Sequence, residues 1–228
     1  PFIIKKYASA KSIIIDVVDI DSDVISVLKY IISKFTFSDS VTINFINDDF
    51  LLHGFNKRYD LVIGNPPFNK LGSNNNTLKL YRAQAVNKDT TNTFSFFLEK
   101  AVQISEYVSL IVPKFLLNTP EFRKTREILE RKHIDSIIDF GENGFKDVLV
   151  ETVCINVNTL ESSSKTTICS ITEQITIIQK QSYITDPAFP YWLIYRNNFF
   201  DEIAKRLDFD VFTVFRDRQI TNKLLSPK

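Results

Sequence analysis

Methionine is absent from all 228 residues, and the chain starts at Pro1. A natural chain of this length ordinarily carries several methionines, so the two facts together predict a fragment of a longer protein. Glycine is scarce as well: five residues, at 54, 64, 72, 141 and 144, none of them early. The two cysteines, Cys154 and Cys169, and the two histidines, His53 and His133, are too far apart for zinc-ligand spacing, which excludes a structural metal centre from the expectations. No run of about 18 apolar residues occurs, which argues against a membrane-spanning helix. The N-terminus lacks a secretion signal, so a cytoplasmic protein with no membrane partner is expected. Charge of one sign is also missing: 28 Lys and Arg stand against 27 Asp and Glu, a net charge of +1. Affinity for a polyanion must then come from a local patch rather than from the field of the whole chain.

What is present is a core-forming composition, 44% hydrophobic with 20 Phe. Ser12 to Asp19 is a β-branched apolar run closed by acid, as in a buried parallel strand. A helix is expected from about Asp23 to Lys34, capped by Asp21 or Ser22, with Val24, Val27, Leu28, Ile31 and Ile32 on one face. Strands follow at Val41 to Ile46 and Tyr59 to Ile63. The Asn-rich stretch from Asn69 to Asp89 shows no strong periodicity and predicts a mobile surface loop, with some helix near Tyr81 to Ala85. A helix at Thr93 to Ser105, a strand at Val108 to Val112, a charged helix from Asn118 or Thr119 to about Lys132, and strands at Ile134 to Phe140 and Thr152 to Val157 complete the pattern. Its alternation predicts an α/β fold: a doubly wound Rossmann-like sheet, mostly parallel, with an antiparallel strand near the C-terminal edge. In such sheets ligands bind at the carboxyl ends of strands. Asp19, Asp49 and Asn65 all fall there.

The most specific signal is Asn65-Pro66-Pro67-Phe68 directly after the apolar strand Asp60 to Gly64. An aromatic amine is a poor nucleophile because its lone pair is delocalised into the ring. The Asn65 side-chain oxygen and the Pro66 carbonyl can accept its two hydrogens and restore a directed lone pair. The prolines fix the backbone, the X–Pro bond extends Asn65, and Phe68 offers a face to a base flipped from its stack. The bland alternative is a turn with Phe68 in the core. Asp19 can accept from ribose hydroxyls, with Ile20 packing on an adenine ring, whereas Asp21 suits a helix cap and Asp16 sits too early in its strand. The basic run Arg123, Lys124, Arg126, Arg131 and Lys132, interleaved with Glu121, Glu127 and Glu130, reads as a solvated face.

The string YDLVIGNPPF resembles the catalytic motif of S-adenosylmethionine-dependent amino-methyltransferases, specifically the adenine-N6 DNA methyltransferases of type II restriction-modification systems. The similarity extends through Thr93 to Lys100, Leu110 to Lys114, Ile138 to Glu142 and Phe145 to Val148. It implies S-adenosylmethionine as cofactor, with Asp49 accepting from the adenine amine and Phe50 covering the ring. It implies Phe145 as a second stacking face for a flipped base. It also implies double-stranded DNA as substrate and a fused or separate restriction endonuclease as partner. On this reading residues 1–180 form the methyltransferase core, and 181–228 a linker helix with the start of a target-recognition domain, marked by Arg216 to Thr221. Asn-Pro-Pro-Phe rather than Ser-Pro-Pro favours adenine over cytosine N4. Cytosine C5 chemistry needs a Pro-Cys nucleophile, and Val153 and Ile168 precede the cysteines.

Two alternatives remain at this point: methylation of an RNA base or a protein glutamine, and a non-catalytic specificity or scaffold subunit. The family's first cofactor motif, a Gly-rich turn after its first strand, has no counterpart before Asp19. The isolated 228 residues are therefore expected to bind S-adenosylmethionine weakly or undetectably. Calorimetry showing micromolar affinity would overturn the fragment reading.

Overall fold

In a computed structural model the described residues are 2–144, 150–162 and 164–207. Residues 1–193 and 194–228 form two units. In the first, a short helix α1 (Phe2–Lys6) precedes β1 (Ile13–Asp19), α2 (Ser22–Ile32), β2 (Val41–Asn47) and β3 (Tyr59–Gly64). Then come α3 (Asn76–Gln84), α4 (Thr93–Ile104), β4 (Ser105–Pro113), two 3-10 turns, α5 (Arg123–Glu130) and β5 (His133–Gly141). The strands β6 (Thr152–Asn158), β7 (Lys165–Ser170) and β8 (Ile175–Lys180) and the one-turn helix α6 (Gln181–Ile184) follow. The described part of the second unit is built on α7 (Asn198–Ala204), whose first turn is capped by the Asn197 side chain. Among the described residues no helix is long and apolar enough to cross a membrane.

The strands form two sheets, β1-β2 and β3-β4-β6-β5-β7-β8. The pairs β1–β2, β3–β4 and β5–β7 are parallel. The predicted strand at Thr152 is antiparallel but interior, inserted between β4 and β5, and the antiparallel edge strand is β8. Its alternating sequence still makes sense, because Val153, Ile155 and Val157 enter the core while the intervening residues stay half-buried. With Val108, Leu110 and Val112 of β4 and Ile134 and Ile137 of β5, they make a layer of almost fully buried side chains. Burying these branched side chains on a pleated surface contributes roughly 1.5–3 kcal/mol each.

The sheet break falls between β1 and β3, and its effect shows in burial. The sequence reads β1 as a buried strand and β3 as an apolar one, yet Ile14 on β1 and Ile63 on β3 are 60% and 57% exposed. Only side chains bridge the gap in the described contacts. Asp16, in mid-β1, accepts 2.7 Å hydrogen bonds from the Tyr59 hydroxyl at the start of β3 and from Asn44 Nδ2 on β2, and pairs with Lys57 Nζ at 2.7 Å. Helix α2 shows the same thinning. Asp21 caps it by accepting from the Asp23 and Val24 amides. Its inward row is Ile25, Leu28 and Ile32, whereas Val24, Val27 and Ile31 of the predicted face lie exposed.

Two expectations fail here. The Asn69–Asp89 stretch is no loose surface loop. Asn75 caps α3, Leu78 is fully buried against Leu51 and Phe96, and Asn87 is fully buried. The asparagines serve as caps and as buried donors, roles that carry no periodicity. Nor is the basic run wholly solvated. Arg126 is 2% exposed and donates to the carbonyls of Leu116, Thr119 and Pro190, closing the turns around α5. The segment after β8 is likewise tied back, by Gln181 to the Ile134 amide and by Trp192 Nε1 to Glu130.

Burial alone would raise the Asp16 pKa, but the hydrogen bonds from Lys57, Asn44 and Tyr59 and the Lys57 charge outweigh it and hold the carboxyl at about 2. Its side chain is 6% exposed, so solvent screens this little. A depressed folded pKa gives stability that is complete above the unfolded value near 4 and is lost as pH falls towards 2, about 2 kcal/mol in all. Urea unfolding followed from pH 5 to pH 2 should show this loss, and Asp16→Asn should flatten it. An unchanged pH profile in the variant would show that Asp16 does not hold the two sheets.

Candidate functional site

The chain leaves β3 at Gly64, whose partner in the ladder is Leu110, and the next residue, Asn65, is already beyond the last sheet pairing. Asn65 is exposed, Pro66 buried, Pro67 exposed and Phe68 half-buried. Among the described residues the Asn65 amide has no hydrogen-bond partner. A proline carries no N–H, so this turn cannot be closed by its own amides. It is closed from outside. Thr93, the first residue of α4, donates its hydroxyl to the Pro67 carbonyl at 2.6 Å and lies 3.2 Å from the Asn69 carbonyl, which also accepts the Thr93 amide. The Phe68 ring meets the fully buried Phe94 edge-on, with centroids 6.3 Å apart.

Thr93 is held in turn by a buried polar network that sequence periodicity does not reveal. Glu121 accepts from the Thr90 hydroxyl, the Thr91 amide and Asn92 Nδ2. Burial pushes its carboxyl up, but these bonds and the charge of Lys70 prevail and lower it. Glu99 accepts from the amides of Val86 and Asn87, and there burial wins and its pKa is raised. The Asn87 side chain reaches the Glu121 carbonyl and Thr125, which also bonds Ser95. Both glutamates are spent on fixing residues 86–92, and a bridge from Asn92 to Lys70 carries that rigidity to the residues just after Phe68.

A second group gathers at the ends of β1 and β2, where Asp19 and Asn47 are paired in register. Asn47 Nδ2 donates to the carbonyls of Asp19 and Ile20, locking the two ends together. One carboxylate oxygen of Asp19 accepts the Asp21 amide, and the other has no described partner. Asp21, by contrast, is occupied as the cap of α2. Ile20 is 70% exposed beside Asp19, an apolar side chain with nothing over it among the described residues. Two residues past Asn47, Asp49 accepts from the Leu51 amide at 2.8 Å and from the Tyr81 hydroxyl at 2.7 Å. Phe50 is covered on one face by Phe97, stacked at 5.0 Å, and touches Phe55. Lys100 Nζ bonds the carbonyls of Leu51 and His53 beneath these rings.

An acceptor with a spare oxygen, an exposed aliphatic side chain and a second acid backed by aromatic rings make a set of acceptors and apolar faces suited to the nucleoside half of a cofactor such as S-adenosylmethionine. The structure thus brings Asp19 and Ile20 together with Asp49 and Phe50, and joins Asp49 to the helix that follows the Asn-Pro-Pro-Phe turn. Phe145 and Arg216 to Thr221 lie outside the described residues. Thr93, Glu121 and Tyr81 were missed in the sequence; a Thr opening the helix after Asn92 was the one legible hint, since Thr favours helix starts.

The Eco57I restriction-modification methylase family model matches residues 13–145, more than half of the chain. The type II methyltransferase M.AccI of Acinetobacter calcoaceticus is 30% identical over 140 residues, 55% of this chain and 26% of that protein. The chain therefore spans about a quarter of the length of this curated relative. Among solved structures, a Listeria monocytogenes protein described as a class I S-adenosylmethionine-dependent methyltransferase matches 68% of this chain and 48% of its own, with a TM-score of 0.54 and 18% identity. A Vibrio vulnificus modification subunit of a type I restriction enzyme matches 68% and 34%, with a TM-score of 0.54 and 12% identity. A type I restriction-modification methyltransferase subunit from Streptococcus thermophilus covers 86% and 47%, at 0.51 and 12%. At these identities the likeness shows the fold, that of the class I methyltransferases.

Thr93→Val keeps the shape of the side chain but removes the donor to Pro67. A lost hydrogen bond of this kind costs about 1–2 kcal/mol, readable as a lower urea midpoint at unchanged slope, and Thr93→Ser should retain most of it. Equal stability of the Val variant would show that the turn does not lean on the Thr93 hydroxyl.

Proposed function

The chain belongs to the Eco57I restriction-modification methylase family, and we propose that it carries the catalytic core of a DNA methyltransferase acting on the N6 amine of adenine within a restriction-modification system. The observation that carries this reading is the Asn-Pro-Pro-Phe turn. It presents an exposed Asn65 amide with no described partner at a strand end, on a backbone anchored two residues further on, at the Pro67 carbonyl. Asn65 Oδ1 and the Pro66 carbonyl accept the two hydrogens of the amine, drawing its lone pair out of the ring. The prolines and the Thr93 bond at Pro67 hold the backbone that carries these acceptors, which limits the reorganisation left for the reaction itself. Phe68 stacks on the flipped base. The nitrogen, once alkylated, is acidic enough to lose a proton to water, so no side-chain base is required.

S-adenosylmethionine supplies the electrophilic methyl group when bound. Asp19 holds the ribose hydroxyls, Ile20 and Phe50 cover the adenine, and Asp49 accepts from its amine. Double-stranded DNA is the substrate, and its target base must leave the stack because the amine is out of reach inside the duplex. A restriction endonuclease, fused or separate, is the functional partner that such a system implies.

Asn65→Ala in the full-length protein should lower methyl transfer into a duplex oligonucleotide by about 10²–10³-fold or more, while DNA affinity by fluorescence anisotropy stays nearly unchanged. Nucleoside analysis of the wild-type product should give N6-methyladenine. An unchanged rate would remove the amine-gripping role, and N4-methylcytosine would remove the adenine assignment.

A further inference from the structure

We propose that Tyr81 is a positioning residue for the cofactor: its hydroxyl, fixed on α3, sets the Asp49 carboxylate at the angle that receives the exocyclic amine of the cofactor's adenine. The proposal rests on the assignment of Asp49 and Phe50 to the cofactor made above and deepens it. A carboxylate rotates easily about its last torsion, which is broad and two-fold rather than staggered. The Leu51 amide, bonded to one oxygen of Asp49, is a local contact within the turn. The Tyr81 hydroxyl, 2.7 Å from the other oxygen, comes from a separate helix 32 residues on in the chain. With one donor on each oxygen the plane of the group is defined, and each oxygen keeps a free acceptor direction.

Tyr81 is a stiff support for this purpose. Its ring packs against Phe96 with centroids 5.8 Å apart and lies on the cluster of Leu51, Leu78 and Phe96. Leu78, one turn earlier on α3, is fully buried there. Burial, then the hydrogen bond to Asp49, raise the phenol pKa, so the group stays an O–H donor throughout the neutral range. Packing alone would be served equally by phenylalanine. Among the described residues the hydroxyl has Asp49 as its hydrogen-bond partner. The arrangement also has a topological consequence. Helix α3 lies between the Asn-Pro-Pro-Phe turn and α4, and the residues flanking it are joined by the bond from the Leu71 amide to the Thr91 carbonyl. The segment that orients the cofactor acid is thus the one whose two ends hold the amine-gripping turn.

The test is calorimetry on the full-length protein with two ligands, S-adenosylhomocysteine and its counterpart bearing hydrogen in place of the 6-amino group. Wild type should prefer the amino ligand. Tyr81→Phe should weaken S-adenosylhomocysteine binding about five- to tenfold and leave the deaminated ligand within about twofold, with no change in melting temperature. A role in packing alone would weaken both ligands together or neither. Either result overturns the proposal, as does tighter binding by the variant, which would mean that the hydroxyl competes with the amine for Asp49. The Asp49 assignment fails separately: wild type would then bind both ligands equally, and Asp49→Ala would leave that unchanged.

Discussion

One hydrogen bond, from the Thr93 hydroxyl to the Pro67 carbonyl, determines what the Asn-Pro-Pro-Phe turn can do. Two successive prolines leave a stretch of backbone with acceptors and no donors, and such a stretch is stiff in φ yet has no means of closing itself. By engaging the second carbonyl, Thr93 fixes the peptide plane that follows Pro67, while the Asn65 side chain two residues earlier stays exposed. The donor sits on the first turn of a helix whose next residues, Phe94, Ser95 and Phe96, are buried. The turn therefore takes its support from the core, through the Thr93 bonds to Pro67 and Asn69 and the Phe68–Phe94 contact, as well as from the strand it follows.

That dependence explains which parts of the molecule were legible in the sequence. Strands β1 to β6 and helices α2 and α4 were read close to their true bounds, because β-branched runs and helical periodicity report burial directly. The NPPF turn stood out in the sequence because the reading proposed for it rests on four consecutive residues. What stayed hidden is held by polar side chains acting over long separations: Asn87 on Thr125, Glu121 on Thr90 to Asn92, Tyr81 on Asp49. Composition marks such a segment as solvated, and only the tertiary partners turn it into core. The hairpin β7–β8 was missed for a different reason. Its reversal at Ile171 to Gln174 contains no glycine and places Gln174 itself at φ 53°, so no turn residue announced it.

The sheet break is the other lesson in tertiary context. A parallel strand earns its burial from neighbours on both sides, and β1 and β3 each pair on one side only in this structure. The apolar sequences are those of interior strands; the exposure of Ile14 and Ile63 is that of edges. Between them Asp16, with its three donors, substitutes a charged side-chain contact for a backbone ladder. A nearly buried carboxylate persists there because its acceptors are filled by Tyr59, Asn44 and Lys57 together, whereas losing one partner of such a group strands a charge away from water.

Perturbed carboxylates often mark catalytic acids and bases, but geometry assigns these differently. Asp16 is depressed and Glu99 raised, for opposite physical reasons, and each spends its oxygens on protein donors. Asp19 and Asp49, the acids of the proposed cofactor site, each keep acceptor capacity at or just beyond the carboxyl end of a parallel strand. Chemistry that proceeds by aligning a lone pair needs acceptors of fixed direction more than it needs a tuned proton carrier. In the described residues the shifted Asp16 ties the two sheets together, while Asp19 and Asp49 of the proposed cofactor site are each held by an amide two residues on and Asp49 also by the Tyr81 hydroxyl.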